Sequence, residues 1–439
     1  MTKYLIIIVA ILASTIHQVQ ADTTQAERIY ILSAVWQDIR KNFAFPERFK
    51  EVNPDSLFRA YIPRVLNAEN EEQFSKLMTR FLAHFNEGHT RFNDNNIVRY
   101  KVPALFTWVE DKLLVTNSSK KLNLQIPIGS EVKTIDGMPL KEYLQEHIFP
   151  YVSAPNNEWK KRKALDFFLT GKKGTDFRIG IITPEGKQKT ISLTTSTANI
   201  DSITWSIRRD TRLCYVNQLP NNIIYMKMNQ FGNPDSIKQT FLQHLPEFLA
   251  AKGIIFDIRG NRGGTDESWH PIIQHIANND INISDGFITS GRVANTSIEL
   301  YGAGASKFSD FYHGIAMQPI QLSPFKSTLP DSLKITAPII LLTDRFTASA
   351  AEDFAVTMKN LKLAKIIGTP TSGVFSSPKF TDFGHGYQAL IAACRFTNPD
   401  GSDIIYTGII PDITTNYTQE DALGKTDTAL TAAIQLLNK

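Results

Sequence analysis

Two apolar runs in the C-terminal half do most to constrain what this chain can fold into, because of the residues at which each one stops. Gly253-Ile-Ile-Phe-Asp-Ile-Arg-Gly-Asn-Arg-Gly-Gly264 passes from a β-branched stretch of buried-strand length into glycines. Pro338-Ile-Ile-Leu-Leu-Thr343 reads as a second buried strand, and the chain then reaches Ser349. Glycines permit backbone conformations that other residues resist, so the first loop can aim bare N–H groups at a developing oxyanion. Ser349-Ala-Ala-Glu-Asp-Phe-Ala-Val-Thr-Met358 predicts the helix after the second strand. Ser349 then sits at a strand-to-helix turn, its hydroxyl exposed and the next N–H available as an oxyanion donor. A serine there also commonly caps a core helix. Glu352 fits either a capping box or a charge that steadies the helix.

These runs belong to a longer alternation. Asn222-Ile-Ile-Tyr-Met-Lys-Met228 and Ala364-Lys-Ile-Ile-Gly368 are further apolar strands, with helices expected over Asp235 to Ala250 and Ser349 to Leu361. Such alternation argues an α/β layered core. Upstream the pattern differs. From about Thr24 to Phe92 the spacing is helical, with polar starts at Asn53-Pro-Asp and Asn70-Glu-Glu, and the segment ends in Asn86-Glu-Gly-His89-Thr90. From about Val102 to Thr195 short strands alternate, including a hairpin closed by Pro184-Glu-Gly-Lys187. The expected division is a leader over 1–21, a helical domain over 22–98, a β-rich domain over 99–200 and the α/β part over 201–439.

With 439 residues the chain suits two or three domains, and 42% hydrophobic content is that of a globular protein. Its 47 basic and 43 acidic residues are spread without long runs, which implies no nucleic-acid partner. Lys3, the apolar stretch Tyr4 to Ile16 and the small-residue end Val19-Gln-Ala21 read as a signal peptide cleaved after Ala21, with an uncleaved anchor as the alternative. The expectation is a periplasmic or secreted protein with no later membrane span. Cys214 and Cys394 fall in strand-like stretches, where they either pair or serve as small buried residues.

Four segments carry a resemblance. Asp257-Ile-Arg-Gly-Asn-Arg-Gly-Gly264, Thr347-Ala-Ser-Ala-Ala-Glu352, Gly368-Thr-Pro-Thr-Ser-Gly373 and Gly408-Ile-Ile-Pro-Asp412 follow the order seen in the tail-specific (C-terminal processing) serine peptidases, which the chain resembles. The resemblance implies a crotonase-like (ClpP-type) catalytic core and makes Ser349 the nucleophile. The N–H of Gly263 or Gly264 and that of Ala350 would then form the oxyanion hole. It also implies that the β-rich region is PDZ-like, with Phe149 to Phe168 inserted; such a domain binds a chain terminus by strand addition, or here serves only as a spacer.

The family divides over the base. In one branch a lysine follows the Gly-x-x-Thr-x-Gly segment, but here Val374 stands there. In the tricorn-like branch the base is a histidine ending the helical region, which transfers to His89. A histidine with a pKa of about 6.5 takes and returns a proton near neutral pH. The acid expected before Gly-x-x-Pro-Asp falls on Ile405, so Asp403 is the first candidate and Asp382 the second; His385 is a rival base. His270 and His275 lie five apart and do not stack on one helix face, which argues against zinc. Asp257 and Arg259 are expected to make polar contacts under the glycine loop, and Asn261 to position it. The resulting expectation is an exported serine peptidase acting on proteins or peptides without metal or cofactor. Two other readings stay open: a catalytically impaired peptide- or ligand-binding protein on the same fold, and a hydrolase for small esters or amides.

Overall fold

The strand that ends at the glycines is Gly253–Asp257, and all five of its residues are buried. It lies inside a six-stranded sheet ordered Cys214–Leu219, Ile223–Met228, Gly253–Asp257, Ile339–Thr343, Lys365–Gly368, Ile413–Thr414. Only the first pairing is antiparallel. A strand covered on both faces needs apolar residues at every position, which explains the unbroken runs. Ile254, Phe256, Leu341 and Ile366 face one core, shared with Phe354 of the helix Ala350–Asn360. Ile255, Ile340, Leu342 and Ile367 face the other, closed by Ala429 and Ala433 of the helix Thr428–Leu437. The structure is a computed structural model that describes residues 23–208, 210–292, 316–320 and 325–439. The proposed leader 1–21 lies outside the described residues.

The N-terminal helices are Gln25–Asn42, Pro54–Leu66 and Glu71–Ala83, the last two capped by Asn53 and Asn70 as their sequences predict. They do not close on themselves. Their core includes Tyr387, Ala389 and Ile391, and the strand after them, Arg91–Asp94, pairs antiparallel with Tyr387–Thr397. Ser376–Asp382 pairs with the other edge of that long strand. This second sheet joins the first ninety or so residues to the C-terminal part and carries His89 across the molecule.

The middle region is a sheet ordered Ala104–Val109, Lys112–Ser118, Glu131–Ile135, Asp176–Ile182, Gln188–Thr194, with the expected hairpin between the last two strands. The segment expected to be inserted contains the helix Asn157–Ala164, capped by Asn156. Trp159 and Ala164 share a core with Ala348 and Val374 of the α/β part, so this helix packs on the loops around Ser349. Elsewhere the helix expected over Asp235 to Ala250 is two, Pro234–Gln243 and Leu245–Ala250, broken at His244 where Pro246 has no N–H to continue the ladder. Both cysteines are free. Among the described residues no helix is long and apolar enough to cross a membrane.

Candidate active site

Ser349 follows the strand Ile339–Thr343 and precedes the helix Ala350–Asn360, as the apolar run and its helix predict. Its backbone is held at φ 57 and ψ −134, a region that residues with a Cβ rarely adopt. That turn aims the hydroxyl out of the helix start, and Nε2 of His89 lies 3.1 Å from Ser349 Oγ. Two residues 260 positions apart thus meet at hydrogen-bond distance.

The other ring nitrogen of His89 is also engaged. Nδ1 is 2.9 Å from Ser376 Oγ, and the Ser376 hydroxyl donates to Glu87 Oε1 at 2.9 Å. Glu87 Oε2 accepts from the His89 N–H at 2.8 Å and from the Thr90 hydroxyl at 3.0 Å. Glu87 is fully buried. Burial pushes its carboxyl above the usual range, and the three donors pull the other way. The chain from serine through histidine and a second hydroxyl to a carboxylate fixes the imidazole by both nitrogens.

Burial also acts on His89, helped by the nearby charges of Arg91 and Lys163, and lowers its pKa from 6.5 to about 3. The imidazole is therefore neutral at pH 7, the state a general base needs. A base whose native pKa lies below its unfolded value refuses a proton that the unfolded chain accepts. Its contribution to stability is complete above pH 6.5 and is lost as pH falls toward 3. Fluorophosphonate labelling is expected to hold its rate from pH 8 down to about pH 5, whereas an unperturbed histidine would halve it near 6.5. The pH profile of labelling checks this.

The glycine loop lies directly against Ser349. Gly263 has φ 90, and a Cβ there would stand 2.7 Å from Ser349 Cβ and 2.9 Å from the Ala350 nitrogen. Gly264 lets the loop pass Phe231, whose carbonyl oxygen would be 2.1 Å from an added Cβ. Asn261 positions the loop as expected: its Oδ1 accepts from the Gly263 N–H at 2.9 Å, and its carbonyl accepts from Ala348 N–H at 3.0 Å. With the Gly263 amide so engaged, the Gly264 N–H and the Ala350 N–H at the helix start are the donors left for an oxyanion. Gly263→Ala is expected to slow labelling of Ser349 by about 100-fold, the scale of an ångström displacement at a reacting centre. Intact mass against time measures it.

Glu352 supports this geometry from beneath. Its carboxylate accepts from Thr371 Oγ1 at 2.5 Å, from the N–H groups of Gly373 and Val374 at 2.8 Å each, and from that of Ser349 at 3.2 Å. Burial raises its pKa to about 7. Asp257 accepts from Tyr225, Lys227 and Arg259, and Arg259 goes on to Asp427, so both lie under the glycine loop as expected.

The acid expected at Asp403 is elsewhere. Asp403 pairs with Arg395 across a turn and accepts from the Ile405 N–H at 3.0 Å. Asp382 accepts from the Gly384 N–H, and His385 lies 3.2 Å from Glu27, so neither adjoins Ser349. His275 contacts the Leu333 carbonyl, His270 stacks on Phe325, and no group of metal-ligating side chains occurs among the described residues. Glu87 and Ser376 are what the sequence reading missed. Glu87 lies in the very Asn86-Glu-Gly-His89 segment that drew attention to His89, two residues before it.

A layered α/β core, a serine at a strained turn, a histidine neutral at pH 7 and a glycine loop are thus brought together at one place. Residues 222–415 match the model of peptidase family S41. It is similar to the carboxy-terminal processing protease CtpA of Bacillus subtilis, with 25% identity over 245 residues, 55% of this chain and 46% of that protein. The match thus spans about half the length of that relative. Among solved structures, mature CPAF superposes with a TM-score of 0.71 at 14% identity, covering 94% of this chain and 96% of that one. The photosystem II D1 C-terminal processing protease gives 0.53 at 16%, covering 94% and 97%. At such identities these two likenesses concern the fold.

Proposed function

We propose that the chain is an exported serine peptidase that hydrolyses peptide bonds of protein or peptide substrates through an acyl-enzyme on Ser349. The observation that carries this reading is the 3.1 Å approach of His89 Nε2 to Ser349 Oγ, backed by Ser376 and Glu87. His89 takes the serine proton as Oγ attacks the scissile carbonyl, and the Gly264 and Ala350 N–H groups hold the oxyanion. The imidazolium then gives its proton to the leaving amine, and water, activated by the same histidine, releases the acyl group. Glu87 and Ser376 hold the ring and balance its transient charge. No step calls for a metal or cofactor.

The same reading takes 201–439 as a crotonase-like catalytic domain, 99–200 as PDZ-like and 22–98 as helical, after removal of a leader at Ala21. The family match and the overlaid CPAF fold support the core assignment. The test is intact mass of residues 22–439 after exposure to a fluorophosphonate, beside Ser349→Ala and His89→Ala. One adduct on the unsubstituted chain, absent from the serine variant, is the expected result. A folded chain that takes no adduct would defeat the proposal in favour of a binding protein.

A further inference from the structure

Arg48 and Arg292 keep buried nitrogens without a partner, but among the described residues one buried arginine near this site has a guanidinium with no hydrogen bond at all. Arg162, on the helix Asn157–Ala164, is 3% exposed, and its guanidinium makes no hydrogen bond to any described residue; Nε and Nη2 are both buried and unpartnered. Arg28, Arg48 and Arg292, which are comparably buried, each donate to carbonyl or carboxylate oxygens. The ring of Trp159 stacks on the Arg162 guanidinium at 4.5 Å, and Trp159, 5% exposed, also has a buried indole N–H without an acceptor. Phe346 flanks the guanidinium at 5.4 Å. Phe346 lies three residues before Ser349 on the same loop, and Trp159 shares a core with Ala348, the residue before Ser349.

An unpaired buried cation carries a desolvation penalty that an anion with matching acceptors offsets. The surrounding charge points the same way. Arg262 is close enough to disfavour the Arg162 charge, and Arg91 and Lys163 act likewise on His89. The acid among them, Asp166, is already bound by Lys163 at 2.7 Å and Arg262 at 3.3 Å. Two further acids act on these cations, Asp344 on Arg162 and Glu87 on Arg91, but Asp344 accepts from the N–H groups of Gly260, Phe346 and Thr347, and Glu87 from Ser376, Thr90 and His89. With these acids engaged by other donors, guanidinium and indole N–H form a donor set suited to two oxygens.

Resting on the peptidase reading above, we propose that Arg162 and Trp159 form a carboxylate-binding subsite that selects substrates carrying an acidic group next to the scissile bond. That group is either the α-carboxylate of a chain that ends there or the side chain of an aspartate or glutamate. No bond changes at the subsite; it orients the peptide for Ser349.

Binding to the full chain carrying Ser349→Ala tests it, with tryptophan indole N–H groups followed by NMR and the Trp159 signal identified by Trp159→Phe. The probes are acetyl-trialanine as the free acid, the same peptide as its C-terminal amide, and acetyl-Ala-Glu-Ala amide. A carboxylate probe is expected to shift the Trp159 signal while the neutral amide does not, and Arg162→Gln to weaken that binding at least about tenfold. A response to the free acid alone assigns the α-carboxylate; a response to the glutamyl amide assigns the side chain. Equal shifts from acid and neutral peptides, no shift from either carboxylate, or undiminished binding by Arg162→Gln would overturn the proposal. The acid-against-amide comparison needs no substitution of Arg162, so a poorly folded variant leaves it decisive. Because binding is read in a chain without the nucleophile, failure of fluorophosphonate labelling would defeat the peptidase reading separately.

Discussion

Ser349→Ala and His89→Ala are each expected to lower kcat by roughly 10⁶-fold, and the double variant to be no slower than either alone. The reason is geometric. The histidine acts on the reaction only through the serine proton 3.1 Å away, so removing either partner removes the same step. What survives comes from oxyanion donors and binding, which neither substitution touches. Neither side chain belongs to a hydrophobic core cluster, and circular dichroism should match the unsubstituted chain. Peptide turnover measured over the four members of the cycle checks the expectation. Additive losses would mean that the two residues act in separate steps.

Glu87→Gln and Ser376→Ala are expected to cost roughly 10⁴-fold and 10²-fold in kcat, with KM nearly unchanged. Glu87 supports His89 twice, through the Ser376 hydroxyl and through the backbone N–H, so its loss both frees the ring and moves the loop that bears it. An amide in its place also presents N–H to donors that require an acceptor. Ser376→Ala breaks only the ring contact, and the residual order of the His89 loop keeps its effect smaller. A rise in KM with kcat preserved would assign both residues to substrate binding. A loss of activity in Asp403→Ala as large as that of Glu87→Gln would restore the acid first expected from the motif spacing; with Asp403 held by Arg395, that variant is expected to retain kcat.

The sequence alone determined the parts of this protein whose causes are local. Strands covered on both faces must be apolar throughout, so the runs ending at Ile258 and Thr343 were visible before any pairing was known. A serine at the end of one, glycines at the end of another and a histidine closing a helical segment could be found because each feature lies within a few consecutive residues. Helix starts at Asn53 and Asn70 were equally local, since an asparagine side chain caps the turn that follows it.

Only the tertiary structure decided which groups stand behind His89. Ser376 reaches Nδ1 because the strand Ser376–Asp382 and the strand Arg91–Asp94 flank the same long strand, a pairing across nearly three hundred residues that no local pattern encodes. Serine carries no periodicity or charge to betray such a role. Asp403 was expected from its distance to a motif, but a carboxylate goes to the cation that folding brings nearest, and that is Arg395. The unpaired guanidinium of Arg162 is of the same kind: its charge is written in the chain, and its lack of an acceptor appears only when burial by Trp159 and Phe346 has removed water from it.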